Sequence, residues 1–112
     1  MATVEQCEAA LHELAARMRE RGGSGDHATF ERSLSCTLRD LHVTFVGRLR
    51  EGQLTDIEQA GEAPSAQIRL DMTSDDLVAM VDGRMKFASA WAAGKIKIDA
   101  RMLDLVKLRS VF

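Results

Sequence analysis

Tyrosine is absent from this chain of 112 residues, proline occurs once, and aromatic residues make up only 4% of the total. Basic side chains number 15 against 17 acidic ones, for a formal net charge of -2. With no basic stripe and almost no aromatics interleaved among the cations, the means of gripping a polyanion are missing, so no nucleic-acid partner is expected. The longest apolar runs fall far short of the ~20 residues a membrane-spanning helix needs. Glu5, Glu8, Glu13 and Glu20 crowd the first twenty residues, unlike a signal or transit peptide. The two cysteines, Cys7 and Cys36, show no CxxC or Cys/His spacing, so neither a zinc site nor a disulfide framework is signalled and no cofactor is expected. As small buried hydrophobes they fit a reducing compartment. Length predicts one domain over residues 1–112, able to bury roughly 65% of its unfolded surface, and a cytoplasmic location.

What is present is a clear change of period. Thr3 and Gln6 stand at capping-box spacing, and Val4, Cys7, Leu11, Leu14, Ala15 and Met18 recur on one helical face. The Gly22-Gly23-Ser24-Gly25 run is expected to end that helix. From Leu34 apolar residues alternate: Leu34, Cys36 and Leu38, then Leu41, Val43, Phe45 and Leu49 with Gly47 on the same face. Glu51-Gly52 reads as a hairpin turn into a strand near Gln53–Gln59, and Ala60–Ser65 with the lone proline as a loop. Ala66, Ile68, Leu70 and Met72 form a further half-buried strand, and Ile96 and Ile98 alternate with Lys95, Lys97 and Asp99. Strands with one apolar and one polar face imply a sheet covered on one side only. The fold class is therefore α+β, a single twisted sheet of about five strands under a layer of helices.

The segment Ser74–Leu108 carries surplus apolar surface. Helices at Ser74–Val81 and Phe87–Ala93 end at Asp82-Gly83 and Gly94, where a left-handed residue is needed, and a last helix is predicted at Met102–Leu108. Their apolar residues occupy more than one face, so they must meet something besides one sheet. A hydrophobic ligand and a partner chain are both open at this point.

The run Ser74-Asp75-Asp76-Leu77, the stop Asp82-Gly83, and the stretch Trp91-Ala92-Ala93-Gly94-Lys95-Ile96-Lys97-Ile98 together resemble the sterol carrier protein-2 (SCP2) domain. The strand-turn-strand Phe45–Leu54 and the first helix fit the same pattern. Two departures stand out: Ile98-Asp99-Ala100 lacks a glycine found in many members, and the chain stops at Phe112 without a peroxisomal tripeptide, which argues against peroxisomal delivery. The resemblance implies an apolar tunnel and a non-catalytic carrier of a sterol, fatty acid, acyl-CoA or phospholipid. Its candidate lining is Met72, Leu77, Met80, Val81, Met85, Phe87, Ala88, Trp91, Ile98, Met102, Leu105 and Val106, with Met72, Met80, Met85 and Met102 suited to ligands of variable shape. A dry cavity of about 400 Å³ would cost on the order of 10 kcal/mol, so the tunnel is expected to be partly collapsed, hydrated or already loaded with lipid, an occupied tunnel being preferred. The Arg-over-Lys bias suggests a bacterial host, and hence an acyl lipid rather than a sterol.

No enzyme motif accompanies this pattern. Asp75 and Asp76 are read as first-turn helix-capping carboxylates, and His12, His27 and His42 as surface residues without a nucleophile at catalytic spacing. Lys95 and Lys97 are read as solvated strand lysines, with transient contact to an anionic membrane surface as their functional alternative. An interaction or accessory module, pairing as a homodimer or serving a partner enzyme, is the competing function.

Overall fold

The computed structural model describes residues 1–21, 31–50, 53–60 and 65–105. The Gly22–Gly25 run, His27, the Glu51-Gly52 turn, most of the proline-bearing loop and everything beyond Leu105, Val106 included, lie outside the described residues.

Helix α1 spans Val4–Arg21. Its start is the capping box expected from sequence. The Gln6 amide donates to Thr3 Oγ1 at 3.1 Å, and the Thr3 amide donates to Gln6 Oε1 at 2.8 Å. Two otherwise orphaned N–H groups are thereby satisfied. Cys7, Ala10, Leu11, Ala15 and Met18 are buried from one face, while the charges stay outside.

Five strands form: β1 (Glu31–Leu38), β2 (Val43–Arg50), β3 (Gln53–Ala60), β4 (Ile68–Met72) and β5 (Lys97–Asp99). They form one mixed sheet in the order β3-β2-β1-β4-β5. β1 is central, antiparallel to β2 and parallel to β4, with Cys36 opposite both Phe45 and Leu70. Residues paired directly across strands share a face, so Leu34, Cys36, Phe45, Leu49, Leu70 and Met72 build one apolar surface. The other face is polar and cross-linked. Arg48 bonds Glu31, Thr37 bonds Thr44, Arg39 bonds Asp71, and Arg69 pairs with Asp99.

Two places depart from plain alternation. Leu41 and His42 do not extend β2. They belong to the tight β1–β2 turn, where the Leu41 amide donates to the Leu38 carbonyl and His42 takes a left-handed φ of 54°. In β3, Asp56 at φ 55° forms a bulge opposite Gly47. A Cβ on Gly47 would lie 3.2 Å from both the Leu54 side chain and the Thr55 carbonyl, so a larger residue would need β3 to give by a few tenths of an ångström.

Helices α2 (Ser74–Val81) and α3 (Phe87–Ala92) join α1 on the apolar face. Thr73, not Ser74, is the N-cap of α2: its hydroxyl accepts from the Asp76 amide, with Asp75 and Asp76 in the first turn as expected. Both helices end alike. Arg84 N–H returns to the Ala79 carbonyl and Gly83 N–H to Met80; Lys95 N–H returns to Ala90 and Gly94 N–H to Trp91. Each closure is a Schellman motif and needs a left-handed residue, supplied by Gly83 (φ 83°) and Gly94 (φ 78°). Among the described residues no helix is long and apolar enough to cross a membrane.

Candidate functional site

A cavity of about 760 Å³ lies between the apolar face of the sheet and the helices. Its floor is Leu34 and Cys36 of β1, Leu70 and Met72 of β4, and Leu54 of β3. Leu77, Met80 and Val81, at helical spacing on α2, form one wall, and the turn into α3 closes over it with Met85, Phe87 and Ala88. The opposite wall is α1. Leu11, Leu14, Arg17 and Glu20 line it from successive turns of that helix, apolar in the middle and charged toward its C-terminal end. Lys86 and Gly83 complete the charged end.

Both ends of α2 are fixed. At its start the Asp40 carboxylate accepts from the Ser74 amide at 2.9 Å and from the Ser74 hydroxyl at 2.5 Å. The same hydroxyl, fully buried, accepts from the Ala2 amide at 3.1 Å. The Ser74 hydroxyl bond holds the Asp40 pKa below the ordinary carboxylate value, with burial opposing and the Ser74 amide assisting. At the other end the Arg17 guanidinium donates to the Val81 carbonyl and to Glu13 Oε1. That bond ties the last turn of α2 to the fourth turn of α1.

The wall is chemically quiet. Burial, aided by nearby Cys7 and Asp71, pushes the Cys36 thiol up to about 12, so it faces the cavity as a neutral, weakly polar group. Cys7 is raised in the same direction, first by burial and then by Asp40 and Asp75. His12 and His42 are exposed. The cavity is partly open to solvent, so water can enter it. Against walls of Leu, Met, Val and Phe that water finds few of the roughly three hydrogen bonds it wants, so an apolar guest that displaces it is favoured.

Of the residues expected to line a tunnel, Met72, Leu77, Met80, Val81, Met85, Phe87 and Ala88 come together around this cavity. Four do not. Trp91 sits one turn beyond Phe87 on α3 and packs on it, ring centroids 6.1 Å apart at 52°, outside the cavity wall. Ile98 pairs with Leu70 but belongs to edge strand β5, one strand past the floor. Met102 is 77% exposed and Leu105 half-buried, because the helical turn at 102–105 turns Asp104 inward instead. That carboxylate, 2% exposed, accepts from Arg32 Nε at 3.0 Å. The wall contributed by α1 and the floor from β1 and β3 were not anticipated. No local pattern in the sequence marks α1 as a cavity wall, since the same apolar stripe would serve against packed core.

An α+β domain with a mixed sheet, helices on one face and an apolar cavity between them defines a class of small fold built around its interior. The chain belongs to the SCP-2 sterol transfer family, whose model matches residues 11–112. Among solved structures it is similar to sterol carrier protein 2 like 2 from Aedes aegypti, with TM-score 0.70 and 16% identity over 96% of this chain and 97% of that one. Sterol carrier protein 2 from Aedes aegypti, solved in complex with the C16 fatty acid palmitate, is similar at TM-score 0.61 and 19% identity, over 96% and 92% of the two chains. A part of the sec-alkylsulfatase Pisa1 from Pseudomonas sp. shares the fold, with TM-score 0.56 and 21% identity over 73% of this chain but 13% of that enzyme. No curated protein matches at a significant level.

Proposed function

We propose that this protein binds a hydrophobic ligand of the acyl-lipid type in the cavity under α1 and α2, and carries it without chemical change. The observation that supports this reading best is the cavity itself, about 760 Å³ and within the roughly 300–1,000 Å³ typical of small-molecule sites, with charge confined to one end. Each methylene withdrawn from water into such walls contributes about 0.8 kcal/mol, so a tail of ordinary length binds by desolvation alone. Membership in a sterol transfer family and the palmitate complex of a structural relative point the same way. The free, buried thiols of Cys7 and Cys36 support a reducing, cytoplasmic setting. Transient contact with a membrane surface during loading is part of the proposal, supported by exposed Met102 and Leu103 beside Arg101.

A second reading is favoured by one observation. The fold recurs as a small part of a larger enzyme, the alkylsulfatase, which suits an accessory or dimerising module. Native mass spectrometry of freshly purified protein separates the two. A lipid adduct supports the carrier, while a clean dimer without adduct supports the module.

A further inference from the structure

Beside the large cavity lies a second void of about 20 Å³, whose lining includes Phe45, Gly47 and Ile57. Leu11, Leu34, Cys36 and Leu54 line both spaces and stand between them. Two local features create the void. Gly47 pairs with Leu34 across β1 and β2, so a side chain there would enter on the apolar face, and a glycine brings none. Opposite it the register of β3 shifts: Val46 pairs with Glu58 but Arg48 with Thr55, so Asp56 and Ile57 together face Gly47. Such a bulge re-aims the side chains around it. Leu54 and Ile57, an odd number of positions apart, would point to opposite faces of a regular strand. Here both border the space over Gly47, with Leu54 Cδ1 at 3.2 Å and Ile57 Cγ1 at 3.8 Å from where its Cβ would stand. The space left is about that of one water-sized group, and its lining is apolar apart from the Cys36 thiol.

The void lies at the apolar end of the large cavity. Along α1, Leu11 marks that end, and Glu20 stands nine positions further on, about 14 Å along the helix axis. A polar group is kept from the apolar end by its desolvation cost, so what arrives there is the last carbons of a tail. Of the side chains between the two spaces, those of Leu34 and Cys36 stand on the central strand β1, hydrogen-bonded on both sides. Leu54 stands on the edge strand β3, hydrogen-bonded on one side only, and its side chain can turn between staggered rotamers. Resting on the lipid-binding reading above, we infer that Leu54 is a movable partition and that the pocket over Gly47 receives the terminal methyl of the longest tail the protein holds. Leu54 and Gly47 are then the residues that determine tail length. Affinity climbs with each methylene until the tail has filled this pocket, and a longer tail gains nothing more.

The test is a homologous series of saturated fatty acids, odd and even, from about C10 to C20, a span set by the ~14 Å reach along α1. Each acid displaces a fluorescent fatty acid from the protein below its micelle threshold. In wild type the affinity should rise about fourfold per methylene and then level off at one chain length. Gly47→Ala fills the pocket and presses on Leu54, so the break should come about one carbon earlier. Leu54→Ala removes the partition and should delay the break by about two or three carbons. Below the break both variants should keep the wild-type slope. If Leu54→Ala melts below the assay temperature, Leu54→Val takes its place and should delay the break by about one carbon. A measurement on wild type needs no variant: the longest acid on the rising part, labelled with ¹³C at its terminal methyl, should show nuclear Overhauser contacts to the methyls of Leu54 and Ile57. Contacts of that methyl confined to Met80, Met85 or Phe87 would overturn the length assignment while leaving lipid binding intact. A break that stays put in every folded variant would do the same. Failure of every acid to displace the probe would overturn it together with the carrier function.

Discussion

Two methionines of the cavity wall make a matched pair for one substitution. Met72 lies in the floor on β4 and is 1% exposed; Met80 lies on α2 and is half-buried toward the charged end. Lysine at either site points an ammonium at the same cavity, and the outcome depends on whether it can reach water. From position 80, which is half-buried, a four-carbon stem can snorkel toward solvent, so the loss is part of one side chain's burial, about 1 kcal/mol. That is a drop in melting temperature of about 5 °C for a domain this small. From position 72 the ammonium stays beneath α2, and an unpaired buried ion costs several kcal/mol out of a total of about 5–15. Met72→Lys is therefore expected to be largely unfolded at 37 °C and Met80→Lys to be folded. Met80→Lys should nonetheless lose at least about tenfold in affinity for a fluorescent C16 fatty acid, since displacing two methylenes at about 0.8 kcal/mol each is already worth that much. Far-UV circular dichroism on heating and fluorescence titration read the two quantities separately. If Met80→Lys melts as early as Met72→Lys, Met80 is ordinary dry core. If it stays folded and binds as well as wild type, the cavity at α2 is not where the tail goes.

Three other outcomes follow from contacts elsewhere in the fold. Asp40 titrates below the ordinary carboxylate value because Ser74 bonds its ionised form, so its contribution to stability is complete above about pH 4 and disappears as pH falls through the lower folded value. Urea melts should show Asp40→Asn less stable than wild type at pH 6, with the gap closing toward pH 3; a constant gap would refute the linkage. Arg32→Met strands the buried Asp104 carboxylate and should cost about 3–5 kcal/mol in urea denaturation, most of it recovered in Arg32→Met with Asp104→Leu. Trp91 reports on the cavity only through Phe87, so a bound tail should alter its emission in wild type and leave it unchanged in Phe87→Leu that still binds. A full response in that variant would put the indole itself against the ligand.

The fold was legible because its signals are local. Capping at Thr3 and Gln6, alternation in β1, β2 and β4, and the glycine stops at Gly83 and Gly94 each depend on residues a few positions apart. The wall from α2 and the start of α3 was legible for the same reason, since Leu77, Met80 and Val81 must share a side of any helix. What failed depended on which element lies over which. Met102 and Leu105 have helical spacing suited to a lining, yet the bond between part-buried Arg32 and buried Asp104, 72 positions apart, decides how that turn faces. Ile98 has the right parity but lies on the wrong strand, and no pattern within β5 states that it pairs on the outer side of β4, one strand past the cavity floor. Leu11 and Leu14 read as an ordinary docking stripe, because a helix looks alike in sequence whether its apolar side meets packed core or a cavity.

Anchoring α2 at both ends has a kinetic side. With Asp40 and Ala2 gripping Ser74, and Arg17 gripping Val81, sliding or lifting that helix would break several polar contacts at once, one set of them buried. Accommodation of differently shaped guests then falls to parts that move without disturbing the backbone, chiefly the thioether arms of Met80 and Met85 and the ring of Phe87. Side-chain rotations of this kind take picoseconds to nanoseconds, whereas displacing a packed helix takes microseconds or longer. Breadth of ligand and speed of adjustment therefore come from the same source, a rigid frame filled with supple side chains, and the interior reshapes itself around a tail faster than the tail can enter.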